Sequence, residues 1–569
     1  MATTYAGVAA GRGVVKSPYS RRAFVTSASM ALTGLAIGAR RLSAAALARG
    51  VRASDLLPDP PDVNVLGPLA AAAIDAAKSA GATYADVRVA ASQSFTIEKS
   101  PGDRLSFGAE GDVLFGFGIR VLVNGSWGFV HGETPKTDAL AMAARGAVAQ
   151  ARNVRPAAAG RWEYAPAIVV TGEWNAPMAI DPFAVPLHEQ MALIRAWLDT
   201  MESVRGFNSL PFITSLPFIT WQRESRAFAS TEGSVTTQHF HRVNPNIMQG
   251  GSRLMGGGPV GLQVPSVYAA TGGYEIVARE SIHDDIKETA EDVLRMASLE
   301  ARSLGVGRYS VVLDGTTFGS VLFSTVGRAL ELDRVLGDEA DASGTSYLSP
   351  PIGKLGTPVF SPDLTLSTDR EPPSITGVKW DDEGVAPVAG PLIQAGQIVD
   401  YETSRRTAAA LQPWYQQHAR ALVSRGRAVA PAADQPVQIR CGHIVVKPSA
   451  SPASIDDLIR DMSRGILVRG AYWGVPTDQG LSSGNLSADS ALVLEVQKGR
   501  IVRRVTGGAL EWNTVPFLKN ILVVGDKSTV THGTGASFKG VPWRRTEYHT
   551  TAPAALLKEV SVIDISRAV

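Results

Sequence analysis

A zinc hydrolase holds its cation on two or three lone-pair donors and uses a nearby carboxylate to take a proton from water. Written onto one helix, that chemistry reads H-E-x-x-H, and the sequence does not contain it. Its one His-Glu pair, His188-Glu189, meets Ala192 and Leu193 where a second ligand belongs, so the pair reads as helix surface. His239 and His241 share one face of an expected strand, and two donors with no third nearby read as a solvated face. Cys441, the only cysteine, precedes Gly442-His443 without the pattern of a thiol nucleophile and reads as a buried side chain. Two acidic groups are denser. Trp380-Asp381-Asp382-Glu383-Gly384 sets three carboxylates before a glycine, enough to position water or a cation and equally suited to an acidic turn. Ala329-Leu330-Glu331-Leu332-Asp333-Arg334 places two carboxylates beside an apolar helix face.

The elements that must position these groups are legible in outline. Apolar residues make up 45% and charged residues 19% of 569, so a chain of about three or four domains can bury its own cores. That composition excludes disorder and collagen, and one cysteine excludes a disulfide scaffold or a zinc ribbon. After a Pro-rich linker at Pro58, Pro60 and Pro61, the pattern predicts a helix from Pro68 to Ser79 and a strand from Tyr84 to Ala90. Two apolar runs between Val113 and Val130 are joined by Asn124-Gly125, a strong hairpin signal. Gly116-Phe117-Gly118 reads as close strand packing, since Val121 stands where a dinucleotide fingerprint needs its third glycine. Further helices are predicted over Lys136 to Ala151, Pro186 to Val204, Asp284 to Leu304 and Val321 to Asp333. Strands are predicted at Ile168 to Thr171, Arg226 to Ala229, Ser234 to His241 and Tyr309 to Leu313. The tandem copies Ser209 to Thr214 and Ser215 to Thr220 read as a duplication in a surface loop. This order argues for an α+β fold: an amino-terminal α/β unit with a β-hairpin, a middle α+β region and a strand-rich carboxyl-terminal domain.

The amino terminus reads as an address. Arg21-Arg22 precede a mild apolar run from Ala23 to Ala39, and Ala44 to Ala48 offers A-x-A cleavage sites. The segment is similar to a twin-arginine export signal, so residues 1–48 are expected to be removed and the rest exported. Its six basic residues are unaccompanied by acid, and without them the formal charge falls from +2 to −4, which offers no argument for nucleic acid. No other apolar run is long enough to span a membrane.

Three stretches together resemble the TldD/PmbA family, whose members look like peptide-degrading metalloproteases built from paired subunits. The first is Gly116-Phe-Gly-Ile-Arg-Val121 with Asn124-Gly-Ser-Trp-Gly-Phe129. The second runs from Val326 to Gly337, with Gly344-Thr-Ser346 downstream. The third is Trp380 to Gly384, followed by an expected strand Ile398-Val-Asp-Tyr401 and by Arg405-Arg-Thr-Ala408. The resemblance implies an amino-terminal domain at 83–152 after a linker and helix at 49–82, a central domain at 167–304 and a carboxyl-terminal domain at 306–564.

The departures carry the functional reading. Where catalytic members have H-E-x-x-x-H, the resemblance places Phe323, Ser324 and Arg328. Phenylalanine has no lone pair, arginine is a permanent cation, and serine is too weak a base to activate water. The family's carboxyl-terminal ligand cysteine has no counterpart in Thr534 to Lys539, and Thr551 falls at that place. The expectation is therefore no metal and no cofactor, with zinc confined to catalytic relatives. It is a non-catalytic subunit that binds peptide or unfolded polypeptide, paired with itself or with a metal-bearing TldD-type subunit. An alternative keeps a metallopeptidase or other hydrolase activity through a relocated site drawn from Glu331, Asp333, Asp381, Asp382, Glu383 and His549. A further alternative is a structural or scaffolding protein.

Overall fold

The computed structural model describes residues 50–564, apart from 59–62, 101–103, 110–113, 135, 155–163, 208–216, 252–259, 471–474 and 489. The export segment and the first tandem copy lie outside the described residues. An eight-stranded sheet organises the amino-terminal half, and sheets of nine and six strands organise the carboxyl-terminal half. The architecture is α+β, with a strand-rich carboxyl-terminal region. Among the described residues no helix is long and apolar enough to cross a membrane.

The amino-terminal sheet is continuous across the first two regions. Its longest strand, Tyr84–Ser100, runs ten residues past the predicted end and pairs with Leu114–Val123 on one side and Phe218–Ser230 on the other. Ser126–Gly132 returns along Leu114–Val123 through Asn124 and Gly125, whose φ values of 50° and 81° make the turn that matches strand twist. Helices Leu66–Ser79 and Thr137–Asn153 cover one face through Ala73, Ala77, Ala144 and Val148. Farther along the same sheet, Phe95, Ile97 and Trp221 pack with Ile194 and Trp197 of helix Leu187–Ser203 and with Ile286 and Val293 of helix Ser281–Ser298.

Four sequence expectations need correction. The second tandem copy is not all loop: Phe218, Ile219 and Thr220 open a strand, and Ile219 is buried opposite Ile97. The strand expected at Ile168 to Thr171 forms instead at Thr171–Asn175, because only there does the chain run parallel to Val235–Asn246; Ile168 and Val169 stay exposed. The helix expected to reach Leu304 stops at Ser298, and Ala301–Ser303 joins a sheet edge beside Arg500–Thr506, where its backbone gains partners. Of the strand expected from Ile398 to Tyr401, only Gln397–Ile398 pairs, since Tyr401 turns inward to give its hydroxyl proton to the Pro351 carbonyl.

The nine-stranded sheet holds Gly307–Leu313 between Arg464–Arg469, to which it is parallel, and Ala555–Asp564. The six-stranded sheet sets His443–Val446 beside Arg544–Ala552 and ends on the edge strand Thr531–Lys539. Between the two sheets runs the segment that carries the motif positions. It starts six residues before the predicted helix, at Gly315, because Asp314 accepts a hydrogen bond from the Thr317 amide at 2.8 Å and caps the first turn. An α-helix to Leu322 widens into a π-turn over Phe323–Gly327, tightens over Arg328–Leu330 and breaks at the extended residue Glu331 before Leu332–Val335.

Candidate functional site

Of the motif positions, Phe323 and Ser324 are packed as core, while Arg328 and Thr551 are half-buried. Phe323 stacks face to face on Tyr548, with ring centroids 3.7 Å apart and planes within 10°. Ser324 is buried next to it, and burial, followed by the charge of Arg334, holds the Arg328 guanidinium down at about 10. Phe323 therefore occupies with an aromatic ring the place where the resemblance puts a metal ligand.

One turn on, the break at Glu331 turns two carboxylates inward onto a cation that belongs to the chain. The Lys539 ammonium donates to Glu331 Oε2 at 2.8 Å, Asp333 Oδ1 at 2.7 Å and the Ile439 carbonyl at 2.9 Å. The remaining carboxylate oxygens accept from the Cys441 amide at 3.0 Å and the Ile439 amide at 3.2 Å. Burial opposes ionisation of Glu331, but Lys539, Arg334 and Arg440 outweigh it and hold its carboxyl down at about 2. Burial and the charge of Glu331 raise Asp333. Lys539 lies in the segment where catalytic relatives are expected to bring a thiolate; here it brings an ammonium. Zinc does not fit this set, because the oxygens that would hold it are already saturated by a cation with no lone pair to share.

The Asp381–Glu383 turn is not brought to these carboxylates. Asp382 takes both oxygens to Arg226 Nη1, at 2.7 and 2.8 Å, and accepts from the Ala430 amide. Glu383 accepts from Arg120 Nη2 at 3.0 Å and from the Arg405 amide at 2.7 Å. Asp381 accepts from the amides of Glu383, Val385 and Ala428, and burial, then the charge of Glu383, pushes its carboxyl up to about 7. Arg120 and Arg226 lie on strands of the amino-terminal sheet, so the turn is a seam between the two halves. The Gly116-Phe-Gly118 motif serves the same seam. A Cβ on Gly118 would strike the Ala433 carbonyl of the carboxyl-terminal half.

His549 has company that sequence reasoning missed. His443 and His549 are register partners on neighbouring parallel strands, and His532 reaches the same face from the edge strand. His532 Nδ1 lies 3.1 Å from His549 Nε2 and 3.2 Å from the Thr551 hydroxyl, which in turn lies 3.0 Å from His443 Nε2. Tyr268, from the amino-terminal half, stacks on His532. His443 and His549 are themselves stacked, with centroids 4.1 Å apart and planes within 8°. Their lone pairs therefore lie in parallel planes and do not meet at one ion. Among the described residues no group of three His, Cys, Asp or Glu side chains is arranged to hold a metal. Only strand register makes this cluster, so no spacing in the sequence could have shown it.

These imidazoles set an acid limit on stability. Burial, followed by the neighbouring histidines, lowers His549 to about 2, and burial lowers His443 to about 4, both from 6.5. The unfolded chain then binds more protons than the folded one below pH about 6.5, and stability falls as pH drops from there through about 4, by at most about 1.4 kcal/mol per pH unit for each histidine. Asp381 acts with the opposite sign, since its proton is retained in the folded state from 3.8 up to about 7. Comparing His549→Phe with the parent in urea between pH 4.5 and 7 isolates the histidine contribution, and the variant is expected to lose less stability on acidification.

The other sequence candidates are placed plainly. His188 is exposed, while His239 and His241 are half-buried beside Glu173 and Asp181 at 3.5 and 3.6 Å. Cys441 is buried, and burial holds its thiol well above the usual range, as an inert side chain requires. The sequence reading that no G-x-S-x-G nucleophile elbow is present is wrong as to the string, since Gly480-Leu481-Ser482-Ser483-Gly484 spells it. Ser482 there donates to Asp478 and leads into the strand Ser483–Ser487 instead of a helix.

Comparison with known proteins agrees with this architecture. The family model described as PmbA/TldA metallopeptidase domain 1 matches residues 85–151, and that described as PmbA/TldA metallopeptidase C-terminal domain matches residues 306–564. A protein called metalloprotease from Methanothermobacter thermautotrophicus is 29% identical over 471 residues, covering 81% of this chain and 92% of its own length. A metalloprotease from Archaeoglobus fulgidus is 23% identical over 410 residues, 71% of this chain and 84% of that protein. Among solved structures, a putative modulator of DNA gyrase from Thermotoga maritima superposes with a TM-score of 0.62 at 15% identity, over 87% of this chain and 99% of that one. TldE from Thermococcus kodakarensis does so with a TM-score of 0.61 at 14% identity, over 86% of this chain and 98% of that one. With the two family models spanning the amino-terminal motif and the whole carboxyl-terminal domain in the expected order, the chain belongs to the TldD/PmbA family of metallopeptidase-related proteins.

Proposed function

We propose that this chain is an exported, non-catalytic TldD/PmbA-type subunit that holds peptide or unfolded polypeptide. The observation that carries the reading is the Lys539 ammonium on Glu331 and Asp333, beside a motif occupied by Phe323, Ser324 and Arg328. An aromatic ring and a built-in cation leave this segment without the lone-pair donors and free base that water activation needs. Export rests on Arg21-Arg22 and the apolar run that follows them. The partner is a second copy or a metal-bearing relative, as the pairing of subunits in the family suggests. Edge strands such as Thr531–Lys539 offer backbone groups to an extended chain.

The test is elemental analysis of the folded protein for zinc, manganese, iron and calcium after exhaustive dialysis, together with capture of a labelled, reduced and unfolded polypeptide. Metal far below one ion per chain with retained capture is the expected result. Close to one tightly held transition metal per chain would overturn it in favour of a relocated metallopeptidase site. Absence of both metal and capture would leave a scaffolding protein.

A further inference from the structure

The seam between the two halves holds more than ion pairs, for a solvent-open cavity lies along it. A cavity of about 280 Å³ opens between the Leu114–Val123/Ser126–Gly132 hairpin, the end of helix Thr137–Asn153 and the 436–437 segment of the carboxyl-terminal half. Its walls include Trp127, Phe129, Pro436 and Val437, all apolar, and its only charged lining residue is Arg120. Arg120 is held over the Trp127 ring at 5.3 Å. Its Nε and Nη2 are committed to Asp86 and Glu383 at 2.6 to 3.0 Å, while Nη1 has no hydrogen-bond partner among the described residues. Gln150, the other polar side chain in the lining, is exposed at the cavity mouth; its carbonyl oxygen accepts from the Phe129 amide at 2.7 Å, and its NH₂ has no partner among the described residues. The cavity thus offers apolar walls of side-chain size, two donors and no acidic group.

Donors without acceptors select a ligand that brings acceptors. Locally three guanidiniums, Arg88, Arg120 and Arg405, are balanced by Asp86, Glu383 and Glu232, so the selection is by directed hydrogen bonds more than by bulk charge. A carboxylate on a small apolar body satisfies both features. We propose that this cavity holds the carboxyl-terminal residue of a bound peptide, its apolar side chain between Trp127 and Val437 and its free carboxylate on Arg120 and Gln150. The assignment rests on the peptide-binding reading and adds to it a preference for a free, apolar carboxyl terminus.

The probes are N-acetyl-L-phenylalanine and its carboxamide, titrated calorimetrically into the full chain. The acid is expected to bind at least tenfold more tightly than the amide. Gln150→Glu keeps the acceptor for the Phe129 amide but replaces the donor with a like charge, so it should weaken the acid at least tenfold and the amide, which carries no charge, by much less. Val437→Trp fills the cavity and should abolish binding of both. Equal affinity for acid and amide, or undiminished binding by either variant, would overturn the assignment. Capture of an unfolded polypeptide without any response to the acid overturns this cavity alone, whereas no capture of any polypeptide overturns the peptide-binding reading itself.

Discussion

Replacing Lys539 with methionine lowers the unfolding free energy by about 3–5 kcal/mol, the cost of leaving a buried charge without its partner. Glu331 and Asp333 are 2% and 5% exposed, so water cannot take over from the ammonium, and Arg334 lies no nearer to Glu331 than 3.6 Å. The triple replacement K539M, E331Q and D333N is expected to recover part of the loss, because the amides need no counter-charge but their buried NH₂ groups find only the Ile439 carbonyl that Lys539 vacates. Manganese should restore part of the stability of K539M and leave the parent unchanged, since only the variant presents free carboxylates to a hard cation. Urea midpoints for the three proteins, with and without manganese, check all of this. An unchanged midpoint for K539M would mean that the carboxylates are not held by Lys539 at all.

Phe323→Ala is expected to cost about 3–5 kcal/mol, the range for removing a buried aromatic side chain and leaving its cavity. The ring is 3% exposed and stacked on Tyr548, so both partners lose their contacts. Phe323→Leu, which keeps most of the volume, should cost less than half as much. Neither change should alter polypeptide capture under conditions where the variants stay folded, because the ring contributes packing and no ligand contact. A variant that lost capture while keeping its urea midpoint would place Phe323 at the binding surface instead.

Local chemistry was legible in the sequence, and contacts made at a distance were not. Asn124-Gly125, the helix Leu187–Ser203 and the burial of Cys441 follow from turn preference, apolar periodicity and the habits of a lone thiol. Membership of the family was legible as well, because its motifs are local strings of residues. The buried cation was not: Lys539 and Glu331 are joined only by the packing of an edge strand on a broken helix. The three histidines likewise come together through strand register, and the acidic turn found its role only when Arg120 and Arg226 arrived from another sheet. The helix that ended at Ser298 shows the same limit from the other side, where a sheet edge overrode a favourable periodicity.

The strand Ala555–Asp564 has a bearing on how the protein is made. Ala555–Asp564 pairs with Gly307–Leu313, which opens its domain, and also with Gly508–Asn513 and Ile521–Val524. A nascent chain cannot complete the middle of its largest sheet until Ala555–Asp564 has been made, so this domain folds slowly, as distant pairings dictate. A message truncated before Ala555 would release three strands with open edges, and its product is expected to aggregate rather than persist as a shorter folded protein.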